Sequence, residues 1–148
     1  MISAHWVEKS FSILDVDNPG LLYDYYGFPK ESYSLKYPTS STKELREQVI
    51  HALEEKGINL VRNKEWKYDH GTFIPLSILY PKADIPVIQI SLKSNYNPGE
   101  HYDLGVKLAG LRKKGFLIVG SGMSYHNMGG FYNPHSLPKS QKFDKALK

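Results

Sequence analysis

Cysteine is absent from the 148 residues, which excludes disulfides and thiolate-ligated metals at the outset. No apolar run approaches the ~20 residues that a membrane span requires. The first residues, MISAHW, also lack the basic and apolar regions of a secretory signal. These absences lead us to expect a cytoplasmic protein with no membrane partner. Acidic residues are too few to balance the basic ones, and the formal charge is +4. The basic residues are nevertheless dispersed, apart from Arg112-Lys113-Lys114 and the lysines of the tail. Cations in a last helical turn follow from the helix dipole alone. Solvated surface charge therefore accounts for the balance, and no nucleic-acid partner is expected.

What is present is a globular composition, with 41% hydrophobic and 23% charged residues. The length suits a single domain over residues 1–148. From residue 41 onward, elements alternate. Ser41 with Glu44 reads as a capping box. Leu45, Val49, Ala52 and Leu53 then make a helical stripe that Gly57 ends. Residues 58–61 read as a short strand. Residues 73–80 read as a helix stopped by Pro81, with Pro75 tolerable in its first turn. The run IPVIQISL, residues 85–92, is apolar and β-branched, as expected for a strand buried on both faces. A helix opening at Pro98-Gly99 carries Leu104, Leu108 and Leu111 and closes at Gly115. FLIVGSG, residues 116–122, is a further buried strand. This order predicts an α/β fold, a mainly parallel central sheet with helices on both faces. Residues 17–40 read as a long loop, and residues past the last strand as a polar tail. The loop's six tyrosine and phenylalanine side chains argue against disorder.

In such sheets, ligands gather at the carboxyl ends of the strands. Three of the six histidines fall in suitable places. His5 follows the apolar start, as if in a loop after a strand. His126 follows FLIVGSG, and His70 enters a helix in YDHGTF. Each could equally be a hydrogen-bonded loop residue, with His70 merely holding a turn with Asp69. Imidazoles serve either a metal site or an acid–base pair, and both remain open on this reading. GSGMS is similar to a nucleophile elbow but lacks the serine at the centre of G-x-S-x-G. A metal-independent hydrolase built on His70 with Ser121 or Ser124 is accordingly the weakest option.

Six motifs in order narrow the choice. SAHW (3–6), YGFP (26–29), WKYDHGTF (66–73), ADIPVIQISL (83–92), LAGLRKKGFLIVGSG (108–122) and HN (126–127) span almost the whole chain. Together they resemble the class III extradiol ring-cleavage dioxygenases, in the branch similar to 4,5-DOPA dioxygenases. The resemblance implies an α/β sandwich. It also implies a mononuclear non-haem Fe(II) enzyme, with Zn as the other metal such sites take. The substrates implied are a catechol and O₂, the ring being cut beside the diol with both oxygen atoms incorporated. By the same resemblance, His5 matches a metal ligand. His126 matches an acid–base histidine that also serves as a ligand, and His70 a proton donor. Trp6, Asp69 and Asn127 match positions that orient these imidazoles. Tyr26 and Phe28 would border the substrate pocket.

The chain also departs from that family. Relatives carry a GHGSP-like motif ahead of SAHW and an EHYLP-like segment near their end, each supplying a metal ligand. Neither motif occurs here. The expectation is a chain truncated at both ends, with exposed sheet edges. Alone it would lack turnover, or it would depend on a homo-oligomer or a complementing chain. The alternative reading is a non-catalytic remnant or split piece that acts as a binding module.

Overall fold

A computed structural model of the chain describes residues 1–123 and 125–148. Five strands form one sheet: β1 (Ile2–Glu8), β2 (Ser12–Leu14), β3 (Val61–Asn63), β4 (Ile90–Lys93) and β5 (Gly120–Ser121). Their order across the sheet is β3-β2-β4-β1-β5. The pairs β1–β4, β1–β5 and β2–β3 are parallel, and β2–β4 is antiparallel through Ile13 opposite Ile90. The helices are α1 (Lys43–Glu54), α2 (His70–Leu79), α3 (Pro98–Leu108) and α4 (Ser136–Leu147). This is the α/β, mainly parallel architecture anticipated from the alternating elements.

Two cores form because adjacent strand residues point to opposite faces. Ile13 and Ile90 pack with Val49, Ile50 and Leu53 of α1 and with Leu104 and Leu108 of α3. Leu14, next to Ile13, instead joins Trp6, Tyr68, and Phe73 and Leu76 of α2. Helices α1 and α3 therefore cover one face and α2 the other. The edge strands β3 and β5 are only three and two residues long, which limits the unpaired backbone they present.

Several element boundaries differ from the sequence reading, each for a local reason. Helix α1 is capped by Thr42, whose side chain accepts from the Leu45 N–H, and not by Ser41. Ser41 is turned inward, where its carbonyl and Oγ both accept from Nη1 of the buried Arg46. The strand expected at 58–61 begins at Val61, because the Ile58 N–H still closes α1 on Leu53. Helix α2 starts at His70, three residues early, since Asp69 caps it. Pro75 thus lies inside the helix rather than in its first turn, where it forfeits the bond to the Gly71 carbonyl. Of the 85–92 run only the last three residues are strand, which continues to Lys93. Pro86 has no N–H, and the Val87 N–H goes to Ser40. In FLIVGSG the strand is confined to Gly120–Ser121, and Leu117 is exposed. The polar tail contains α4, a helix with no buried residue, so no apolar stripe in the sequence announced it.

The largest correction concerns β1. His5 does not sit in a loop after a short strand; the strand runs through it to Glu8. Between Ile2 and Val7, β1 advances five residues while β4 advances only two, from Ile90 to Leu92. The surplus residues bulge, and bulges beside functional sites re-aim side chains. His5 and Trp6 both lie in that stretch.

Candidate functional site

The site is built where the bulge of β1 meets the N-terminus of α2. Asp69, fully buried, caps α2 by accepting from the Thr72 N–H at 3.1 Å. Its carboxylate also accepts from Ser3 Oγ at 2.6 Å, Gln89 Nε2 at 2.5 Å and Trp66 Nε1 at 3.4 Å. Ser3 Oγ in turn accepts from the His5 backbone N–H at 3.2 Å. Asp69 thus ties the bulge to the helix start, and it touches His5 through Ser3 rather than directly. Gly71 completes this close approach. A Cβ there would lie 2.4 Å from Ser3 Oγ and 3.0 Å from His5 Cδ2. Gly71→Ala is therefore expected to destabilise the fold by about 1–3 kcal/mol through overpacking, despite the better helix propensity of alanine. Urea unfolding checks this, and an unchanged midpoint would contradict the packing described.

The consequence is that His5 and His70 face each other, with ring centroids 3.9 Å apart and planes tilted by 49°. His126 stands edge-on to His5 at 6.3 Å and is exposed. Burial pushes the His5 imidazole below its ordinary pKa, and the neighbouring His70 adds to this; Asp24 and Asp69 oppose it. His5 consequently stays neutral, and able to bind a metal, to lower pH than a free histidine. Asp24 approaches His70 from the long loop: its Oδ1 lies 2.8 Å from His70 Nδ1 and accepts from the His70 backbone N–H at 2.9 Å. Among the described residues, His5, Asp24 and His70 form a set whose donor atoms all lie within 4.8 Å of one another. Two imidazoles and a carboxylate suit Fe(II) or Zn, so the donors present fit the metal that the resemblance implies.

The other expected residues occupy varied places. Trp6 is fully buried, stacked on Trp66, and its indole N–H donates to Glu8 Oε1 at 3.0 Å. Asn127 is exposed at the start of a short 3-10 turn, where its carbonyl accepts from Gly130. Tyr26 and Phe28 are exposed on the loop, at 91% and 60%. The aromatic ring that meets the histidines is instead Tyr25, edge-on to His70 at 5.7 Å and in contact with Phe28 and Tyr33. Burial raises the Tyr25 pKa, keeping its phenol protonated, and the hydroxyl donates to the Ser32 carbonyl. Ser121 lies in β5, and Ser124 falls outside the described residues. Asp24, Tyr25, Ser3 and Gly71 were not singled out from sequence. For Asp24 the available signal was a lone acid inside the aromatic stretch YDYYGF.

A cleft of ≈ 420 Å³ lies elsewhere, near Met1, Ile85, Phe116 and Leu117, and none of the three site histidines lines it. The imidazole cluster is the better candidate because it combines convergent donors with a perturbed histidine.

An α/β sheet thus gathers three histidines beside an aromatic loop, and comparison with known proteins gives the class of protein. Residues 1–147 match the family model described as the catalytic LigB subunit of aromatic ring-opening dioxygenase. The chain is 40% identical over 131 residues to a 4,5-DOPA dioxygenase extradiol of Beta vulgaris, covering 88% of this chain and 49% of that protein. It is 38% identical over 130 residues to the dioxygenase tasH of Hapsidospora irregularis, covering 86% and 40%. The crystal structure of the uncharacterized protein JW3007 from Escherichia coli K12 superposes with a TM-score of 0.69 at 32% identity, over 86% of this chain and 46% of that one. The chain belongs to the family of the aromatic ring-opening dioxygenase catalytic subunit. It spans less than half the length of these relatives. Among the described residues, no helix is long and apolar enough to cross a membrane.

Proposed function

We propose that the chain carries part of an extradiol dioxygenase site that opens a catechol ring with O₂. The supporting observation is the juxtaposition of His5, His70 and His126 beside the Tyr25 loop in a member of this family. His5 would hold Fe(II), or Zn, with His126 able to assist. His70, paired with Asp24, adjoins that position. Bound there, the metal would bring an electron-rich catecholate and O₂ together. The protein's own work is proton transfer and positioning. An imidazole nitrogen of His126 accepts a catechol hydroxyl proton, and His70 donates a proton as the ring opens. The protonated phenol of Tyr25, with Phe28, supplies an aromatic wall against which the substrate ring packs. Asp69, through Ser3, fixes the backbone of β1 at His5.

Because the chain spans less than half of its relatives' length, remaining ligands are expected from a further segment or a second chain. Metal analysis after chelator-free purification tests the proposal together with a catechol assay. Near-stoichiometric Fe or Zn, with a yellow ring-opened product whose specific activity rises with protein concentration, supports a site completed between chains. Absence of any metal uptake would overturn the enzymatic reading and favour a binding module.

A further inference from the structure

Asp24 is brought to the histidines by the long loop, from outside the sheet and helices. It gets there because the loop is pinned to the segment before α2. Leu21 bridges Tyr68, the Leu22 N–H donates to the Tyr68 carbonyl, and the Tyr68 N–H donates to that of Gly20. Gly20, at φ +70°, makes the turn leading into this bridge. Tyr68 is itself buried, with its hydroxyl on the Val87 carbonyl. The loop beyond the bridge then passes over the start of α2. The first N–H groups of a helix lack intrahelical acceptors and favour a negative charge. Asp69 takes the Thr72 N–H, and Asp24 takes the His70 N–H.

A carboxylate serving only as a helix partner would need no more than that backbone bond. Here the same Oδ1 also lies 2.8 Å from His70 Nδ1. A carboxylate only accepts, so this contact requires a proton on Nδ1. We infer that Asp24 is a positioning residue that holds His70 as the Nδ1–H tautomer, leaving Nε2 as the acceptor nitrogen of a ring centred 3.9 Å from His5. Asp24 thereby acts through His70 rather than as an independent ligand, since the oxygen and nitrogen nearest each other are already committed to one another. The neutral ring must first take a proton at Nε2 before it can give one up. His70 therefore collects the proton of the second catechol hydroxyl, His126 taking the first, and returns it as the ring opens. That catalytic consequence rests on the ring-opening reading; the tautomer assignment does not.

The test is nitrogen-15 NMR of the histidine rings in the full 148-residue chain, at about pH 8, where free imidazoles are neutral. His101 serves as an internal control, because its Nδ1 faces the Asn97 carbonyl and its Nε2 accepts from the Lys93 N–H. His70 and His101 should both report Nδ1–H in the unsubstituted chain. In Asp24→Ala, His70 should move toward Nε2–H, the form favoured by a free imidazole, while His101 stays unchanged. Asp24→Asn keeps the volume and an acceptor oxygen, and should lower the Nδ1–H population of His70 by less. If the alanine variant fails to fold, the asparagine variant decides. A His70 Nδ1–H population equal to that of the unsubstituted chain overturns the inference.

A Zn(II) titration separates the competing role for Asp24. Loss of Zn binding in Asp24→Ala with the tautomer unmoved would make Asp24 a ligand and overturn its positioning role. In a form that opens catechols, kcat should fall about 10- to 100-fold with KM little changed. If the unsubstituted chain opens no catechol but the tautomer shifts as stated, the ring-opening reading fails while the Asp24–His70 pairing stands.

Discussion

In a form of the protein that turns over catechol, His126→Ala is expected to lower kcat about 10²- to 10⁴-fold, the range supplied by a positioned acid–base group. His126 follows β5 and meets His5 edge-on at 6.3 Å, so its ring can reach a substrate bound at His5. It is exposed. Truncating it should therefore move stability by no more than about 0.5 kcal/mol, as for other surface changes. Steady-state rates of ring opening, read with an unfolding curve and metal content, make the test complete. A lost rate with retained metal identifies an acid–base role, whereas loss of both identifies a ligand. An unchanged rate of yellow product would refute any role for His126 in the reaction.

Trp6→Ala is expected to cost about 3–5 kcal/mol of folding stability, the range for removing a large aromatic from a core. Trp6 has no exposed surface and lies nearly parallel to Trp66 (8° between planes, centroids 5.7 Å apart), packed with Leu14, Tyr68 and Phe73. Deleting it opens a void and leaves Glu8 Oε1 without its indole donor. Two-state domains of this size carry roughly 5–15 kcal/mol in total. The variant should therefore unfold at a much lower urea concentration, as followed by circular dichroism. The resemblance implied that Trp6 orients an imidazole. If that were its main duty, the variant would stay nearly as stable and lose kcat instead. The indole N–H bonding to Glu8 is why we expect the stability loss to dominate.

Much of the fold was legible in the sequence because burial leaves a periodic mark. The stripe of Leu45, Val49 and Leu53 and that of Leu104, Leu108 and Leu111 placed two helices. The apolar runs at 85–92 and 116–122 placed two strands. Boundaries were less legible, since they depend on which neighbour answers a given N–H. Asp69 moved the start of α2, Pro86 shortened β4, and Arg46 drew Ser41 away from the cap of α1. Strand β2 left almost no mark, because three residues cannot display a period.

For the site, the sequence by itself determined the chemistry available: imidazoles at 5, 70 and 126, an acid at 69, aromatics at 23–28 and no thiolate. The ordered motifs around them determined the family. What only the tertiary structure decided is how those groups meet. The bulge in β1 turned a histidine in mid-strand toward α2. Gly71 let the two elements close to a distance that any side chain would block. The Leu21–Tyr68 bridge delivered Asp24, 46 positions away in sequence, to a single imidazole nitrogen. Residue types and spacings record what a segment can bury or bond locally. They carry no record of which distant segment arrives to share a hydrogen bond, because that is set by the register and closure of the whole sheet.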